Sequence, residues 1–184
     1  KDGEDNPQYV PEDWVLNLYD QTNDIRYKSW FDTRNITTPV VGTLTLLVKY
    51  PGNPKLYSAV TNYVNQPKIF RISEMYLIAA EAAAMKGGQD IVASKYLNDL
   101  KAARIAGWKN IDYTGSDLTV ALRQERVREL FGEGHRMNDL KRWHIGFTRS
   151  AGQDPSLVMP GEKYAGLSME ADSPLFVWPI PVDE

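Results

Sequence analysis

No cysteine occurs among the 184 residues, so disulfides, thiolate metal sites and cysteine nucleophiles are excluded. No stretch approaches the roughly 18 consecutive apolar residues that a membrane-spanning helix needs. An excess of positive charge is also missing. A net charge of -3 and a pI near 5.5 leave no general attraction for phosphate backbones, which argues against nucleic acid as the main partner. The start, KDGEDNPQYVPEDW, is polar and acidic, with neither an initiating Met nor the apolar core of a signal peptide. It reads as the beginning of a mature or excised piece of something longer.

What is present suits one domain with a real core: 42% of residues are hydrophobic and 24% charged. Aromatics are plentiful, with five Trp and ten Tyr, side chains that serve surfaces apolar on one side and wet on the other.

Residues 1–66 read as loop-rich, broken by Pro7, Pro11 and Pro39. Within them WVLNLYD (Trp14 to Asp20) alternates weakly, as a short strand or a helical turn. VVGTLTLLVKY (Val40 to Tyr50) is β-branched, apolar and stopped by Pro51-Gly52, which predicts a strand. PGNPKLYSAVTNYVNQPK then reads as a long loop carrying Tyr57 and Tyr63.

Residues 67–145 form the expected helical core. SEMYLIAAEAAAMKGG predicts a helix capped by Ser73 and stopped at Gly87-Gly88. It is apolar nearly all round, which predicts neighbours on several sides. QDIVASKYLNDLKAARIAG predicts a second helix capped by Asp90, with Ala93, Tyr96, Leu97, Leu100 and Ala103 on one face and Gly107 at its end. The two make a hairpin of tetratricopeptide size, without a second copy in the chain. A third helix is expected from Asp117 to about Phe131, broken by Gly132 and Gly134, and a short fourth from Met137 to Trp143. Residues 146–184 read as an extended, Pro-rich tail ending in FVWPIPVDE. The fold class expected is therefore mainly α: a helical hairpin plus further helices, with long irregular loops and a short β element.

The most charged stretch is ERVRELFGEGHRMNDLKRW, Glu125 to Trp143. Glu125, Glu129 and Glu133 recur every four residues, yet the Glu-x-x-His pairs of a di-iron bundle are missing, so no metal site is expected. G-x-S-x-G and the glycine-rich phosphate loops are missing too, and no cofactor is expected. Asp20 to Asp24 is calcium-loop-like only until Ile25, which stands where the turn needs glycine. A glycosidase pair of carboxylates stays open, since its members can lie far apart in sequence, but nothing singles one out. A buried ionic scaffold fits better. Arg126 with Glu129, and Arg136 with Asp139 and then Arg142, stand three apart among Leu130, Phe131, Met137, Leu140 and Trp143, and buried charge persists only when paired.

These residues resemble the SusD/RagB-like outer-membrane nutrient-binding proteins of Bacteroidetes. The family's R-x-x-E-hydrophobic-x-L-x-x-AEA helix is matched by Arg71, Glu74, Leu77 and Ala80-Glu81-Ala82. Its LN-x-(I/L)-R-x-R segment resembles LNDLKAARIAG, with Lys101 in place of the first arginine. Its ER-x-x-EL-x-x-EG-x-R-x-x-DL-x-RW is matched from Glu125 to Trp143, and its PIP-x-x-E ending by the tail. DIR (Asp24 to Arg26) and Lys49-Tyr50 match more weakly. The N-terminal half with the lipid-bearing cysteine, and the asparagine-rich tail, have no counterpart here.

The resemblance implies a mainly helical, non-enzymatic surface lipoprotein of the outer membrane. It would bind a glycan or peptide and pass it to a TonB-dependent, SusC-like transporter, touching the membrane only through an anchor outside this chain. The EG-x-R-x-x-DL motif is structural in that picture. Ligand residues do not transfer by motif. Loop aromatics are the physical candidates, namely Trp30, Tyr57 and Tyr63, against a plain role for each in packing. A hydrolase and a tetratricopeptide-like interaction scaffold remain the competing classes. Trp108 is expected as the contact that follows the Gly107 stop, and Trp143 and Trp178 as core.

Overall fold

The computed structural model describes residues 10–37, 41–56, 64, 66, 68–150, 152–154 and 167–177. Its centre is the expected hairpin. In α3 (Ile72–Lys86) Ser73, Leu77 and Ala80 stand four and three apart, so they share the face that packs on α4 (Asp90–Ala102). Helix α5 (Gly115–Leu130) lies against both, and Leu97, Leu100, Leu118 and Leu122 close the core around Leu77. Each such leucine contributes roughly 1.5–3 kcal/mol by leaving water. Gly87 and Gly88 both have positive φ, +75° and +63°, and stop α3 as expected.

The expected caps are replaced. Ser73 sits inside the first turn of α3, behind Arg71, where its buried hydroxyl faces the Glu129 carboxylate and does not cap the helix. Asp90 begins α4 but spends its carboxylate elsewhere: Oδ2 accepts the backbone N–H of Gly115 at 2.8 Å, tying the start of α5 to the start of α4. On α4, Ala93, Leu97 and Leu100 are buried as expected, whereas Tyr96 and Ala103 face outward. Tyr96 meets Tyr76 of α3 edge-on instead, ring centroids 5.9 Å apart. Helix α3 also has neighbours on one side only among the described residues. Ile72, Met75, Ile78 and Met85 form an exposed apolar stripe opposite the core.

Between α4 and α5 the chain is held by Asn98. Its amide donates to the Ile111 carbonyl, and its oxygen accepts the Trp108 indole N–H and the Ile111 N–H. Trp108 is thus fixed by its polar edge as well as by packing.

A second, smaller core gathers Val15 and Leu16 of α1 (Asp13–Leu16) with Tyr19 and Phe31. Trp14 to Asp20 therefore begins as a helical turn, not a strand. Helix α2 (Ile25–Trp30) is capped by Asp24, whose Oδ1 accepts the Arg26 N–H at 2.9 Å. It runs directly into β1 (Phe31–Ile36), which pairs antiparallel with β2 (Gly42–Leu47), Phe31 opposite Leu47 and Ile36 opposite Gly42. β2 is the strand expected from sequence. β1 falls in a stretch expected to be irregular. Its Asp-Thr-Arg-Asn centre gives no apolar alternation because that part of the ribbon is not buried. Beside β2 the Gln153 side chain acts as a strand partner, accepting the Thr45 N–H and donating to the Thr45 and Pro11 carbonyls.

After α5 the chain turns at Gly132 and Gly134, both with positive φ, and enters α6 (Arg136–Arg142). A Cβ on Gly132 would also stand 2.7 Å from Leu47 of β2. Two short strands, β3 (Phe147–Thr148) and β4 (Ser168–Met169), pair antiparallel beyond it. No helix of the described residues is long and apolar enough to cross a membrane.

Candidate functional site

The buried ionic scaffold is real and larger than the Glu125–Trp143 stretch. Its centre is Arg26, only 1% exposed. One guanidinium nitrogen donates to Glu125 at 2.6 Å and to Glu129 at 2.9 Å, and the rest of the fork grips Asp24. Glu129, on α5, also accepts from Arg71 at the start of α3 and twice from Arg104 in the turn after α4. Glu125 takes Arg128 as its second cation, at 2.8 Å. Glu133 receives Arg71 and Lys49. Four carboxylates and five cations thus lash together α2, the end of the β ribbon, α3, the α4 turn and α5.

Electrostatics follow from this geometry. Burial alone would raise the Glu129 carboxyl, but the Arg104 hydrogen bonds and the charges of Arg26 and Arg104 draw it down to about 2. Burial would likewise lower Arg26, and Glu125 and Asp24 outweigh it, so its guanidinium is held more firmly protonated than usual. The same cations finish α5. Its last-turn carbonyls have no intrahelical donors, and Arg71 and Lys49 supply them. Arg71 and Lys49 both reach the Glu129 carbonyl, at 2.6 and 3.1 Å, and Lys49 also that of Phe131 at 3.0 Å.

A second cluster corrects the local pairing expected from spacing. Arg126 does not meet Glu129; it donates to Asp139 of α6 at 2.9 Å. Arg142 holds the other Asp139 oxygen and reaches Glu81 of α3, which also accepts the Trp143 indole N–H at 2.6 Å. Trp143 is half-buried and flanked by Arg123 and Arg142, outside the apolar clusters. Arg136 belongs to neither network. Expected as a scaffold member, it stands exposed with no ion-pair partner among the described residues. Its guanidinium lies over the Trp14 ring instead, 5.7 Å from the centroid.

That pair borders a feature shaped to hold a ligand, a groove of about 780 Å³ among the described residues. Its walls are the Val10–Val15 segment, the C-terminal part of α5, the glycine turn, the first turn of α6 and the Gly146–Arg149 segment. The volume lies within the range of small-molecule sites. Trp14, 40% exposed, is fixed by an indole hydrogen bond to Glu12 Oε2 at 2.8 Å. The same oxygen accepts from the Ser150 hydroxyl at 2.7 Å. An anchored indole with one polar neighbour and a guanidinium beside it can stack on the C–H face of a sugar.

Of the three aromatics expected to touch ligand, Tyr57 and Tyr63 lie outside the described residues, as do Val40, Trp178 and the final PIPVDE. Trp30 is half-buried against the Val15–Phe31 cluster, with the Lys49 ammonium 3.8 Å from its ring centroid. It does not line the groove. Trp14 was missed, although the same rule applies to it: an aromatic beside acids in a Pro-broken segment. Reading it as part of an alternating run hid that. No group of acidic and histidine side chains able to hold a metal occurs among the described residues.

The profile of the SusD family matches residues 12–178. Among solved structures, a SusD-like carbohydrate binding protein from Bacteroides vulgatus ATCC 8482 shares the fold, with a TM-score of 0.64 and 21% identity over 95% of this chain. This chain spans 39% of that one. No curated protein matches the sequence.

Proposed function

The chain belongs to the SusD family, and from that premise we propose that it is a non-catalytic part of a nutrient-binding protein at the bacterial outer-membrane surface. Glycan is its ligand class, with peptide as the second. The whole protein, anchored by lipid, hands that ligand to a TonB-dependent transporter of the SusC type. The carbohydrate binding recorded for the Bacteroides relative supports the choice of glycan. The observation that carries the reading into this chain is the groove with Trp14 standing in it. The scaffold supports it differently: each of its carboxylates is already held by arginine or lysine, so none stands ready as a free acid or base.

In this proposal Trp14 is the principal stacking surface of the groove, and Trp30, outside the groove, with Tyr57 and Tyr63 are further aromatic candidates for ligand contact. Trp14→Ala is expected to weaken glycan binding about tenfold, the loss of one aromatic platform, with little change in unfolding midpoint. Trp30→Ala should also lower stability, because that ring packs on the core. Calorimetric titration of neutral and charged oligosaccharides and of peptides tests this. Absence of binding, together with no transporter co-purifying with the intact protein, refutes it. Glycan turnover abolished by one Asp or Glu substitution would instead make the protein a hydrolase.

A further inference from the structure

The groove carries cations that its acids do not balance. Glu12 and Asp139 are its two carboxylates, and both are committed: Glu12 to Trp14 and Ser150, Asp139 to Arg126 and Arg142. Arg136 and Arg149 also line it, and neither has an ion-pair partner among the described residues. His135 adds an imidazole at the same wall, with Glu74 of α3 at 3.7 Å as its facing acid. The chain as a whole is net negative, so this local excess is not a by-product of composition. A guanidinium presents a planar fork that matches a carboxylate or sulfate with two parallel hydrogen bonds. Arg136 sets that fork beside the one indole of the groove.

We infer that the groove selects an anionic glycan, one sugar ring stacking on Trp14 while its acid substituent is read by Arg136, with Arg149 neutralising a neighbouring one. The inference rests on the glycan-binding reading above and narrows it to uronate-containing or sulfated chains, whose shared chemistry is an exposed anion on a sugar ring. Neutral sugars would use the indole and leave both guanidinium groups without a counter-charge.

The test is calorimetric titration of the purified chain with three probes of equal length: oligogalacturonate, a sulfated galactan oligosaccharide and a neutral galacto-oligosaccharide. Either anionic probe should bind at least tenfold more tightly than the neutral one, and the stronger of the two identifies carboxylate or sulfate as the group read. That preference should shrink as salt rises. Arg136→Gln should remove about tenfold of affinity for the anionic probe, and Arg136→Lys should recover only part, because the fork is lost. Lys28→Gln, a charge change outside the groove, should leave affinity unchanged and so separates local recognition from net charge. Neutral probe bound as tightly as the anionic ones, or an Arg136→Gln variant with unaltered preference, overturns the inference while leaving glycan binding intact. Absence of binding by all three probes overturns it together with the broader reading.

Discussion

Replacing Glu129 by glutamine tests the scaffold at the point where most of it converges. The substitution keeps shape and removes one negative charge facing Arg26, Arg71 and Arg104. Glu129 is completely buried, so solvent does not screen the loss. Its carboxyl is drawn from the ordinary 4.5 to about 2 in the folded protein. At ~1.4 kcal/mol per tenfold, that difference amounts to about 3 kcal/mol of stability at neutral pH. The value agrees with the roughly 3–5 kcal/mol lost when one member of a buried pair is removed. Because the folded carboxyl titrates lower than the unfolded one, the contribution is complete above pH 4.5 and fades as pH falls towards 2. Urea unfolding of parent and Glu129→Gln at pH 7 and at steps down to pH 3 should show a large gap that narrows with acid. A difference below about 0.5 kcal/mol at pH 7, the level of an ordinary surface change, would refute the reasoning. So would a gap that stays constant across the acid range.

Lys101 gives a prediction of opposite sign. Burial among Trp108 and Tyr113, with Arg128 and Arg26 near and only Glu125 offsetting them, lowers its ammonium from 10.5 to about 8. Its contribution to stability should therefore rise between pH 8 and 10.5, as the folded state releases the proton first. Lys101→Met should abolish that rise and stabilise the protein at pH 7 by about 1–3 kcal/mol, less what the lost Tyr113 hydrogen bond costs; thermal melts across this range decide it. Arg126→Ala strands the buried Asp139 with Arg142 alone and should cost about 3 kcal/mol, whereas Arg136→Ala should cost under about 0.5; equal denaturant midpoints would show that α6 is not pinned as described. Gly132→Ala, at φ +76° and facing Leu47 at 2.7 Å, should lose at least about 1 kcal/mol, and an unchanged melting temperature would place that turn elsewhere.

Sequence alone settled the features that repeat over short distances. Helices α3, α4, α5 and α6 follow from runs of helix-forming residues with apolar positions three and four apart, and the ends of α3 and α5 from the glycines after them, because a helix buries one face whatever lies against it. The family resemblance was legible for the same reason: its motifs are runs of neighbouring residues. It was equally legible that most carboxylates and arginines between Glu125 and Trp143 belong to a buried, paired scaffold.

Which charge meets which was decided by tertiary structure. Spacing of three suggested Arg126 with Glu129, yet each found a stronger partner from a distant segment: Asp139 for the first, and Arg26, Arg71 and Arg104 for the second. A helix-surface pair of neighbours is worth only about 0.3–0.5 kcal/mol, while an uncompensated buried charge costs several, so burial overrides local pairing. Asp24, Arg26 and Lys49, the weakest motif matches, proved central because their role exists only once α2 and the β ribbon dock on α5. Arg136 went the other way. Its place in a motif promised a scaffold role, and the turn at Gly132 and Gly134 carried it out to the rim of the groove beside Trp14, a neighbour 122 positions earlier in the chain. No periodicity encodes that meeting, since it arises where two independently formed elements happen to face each other.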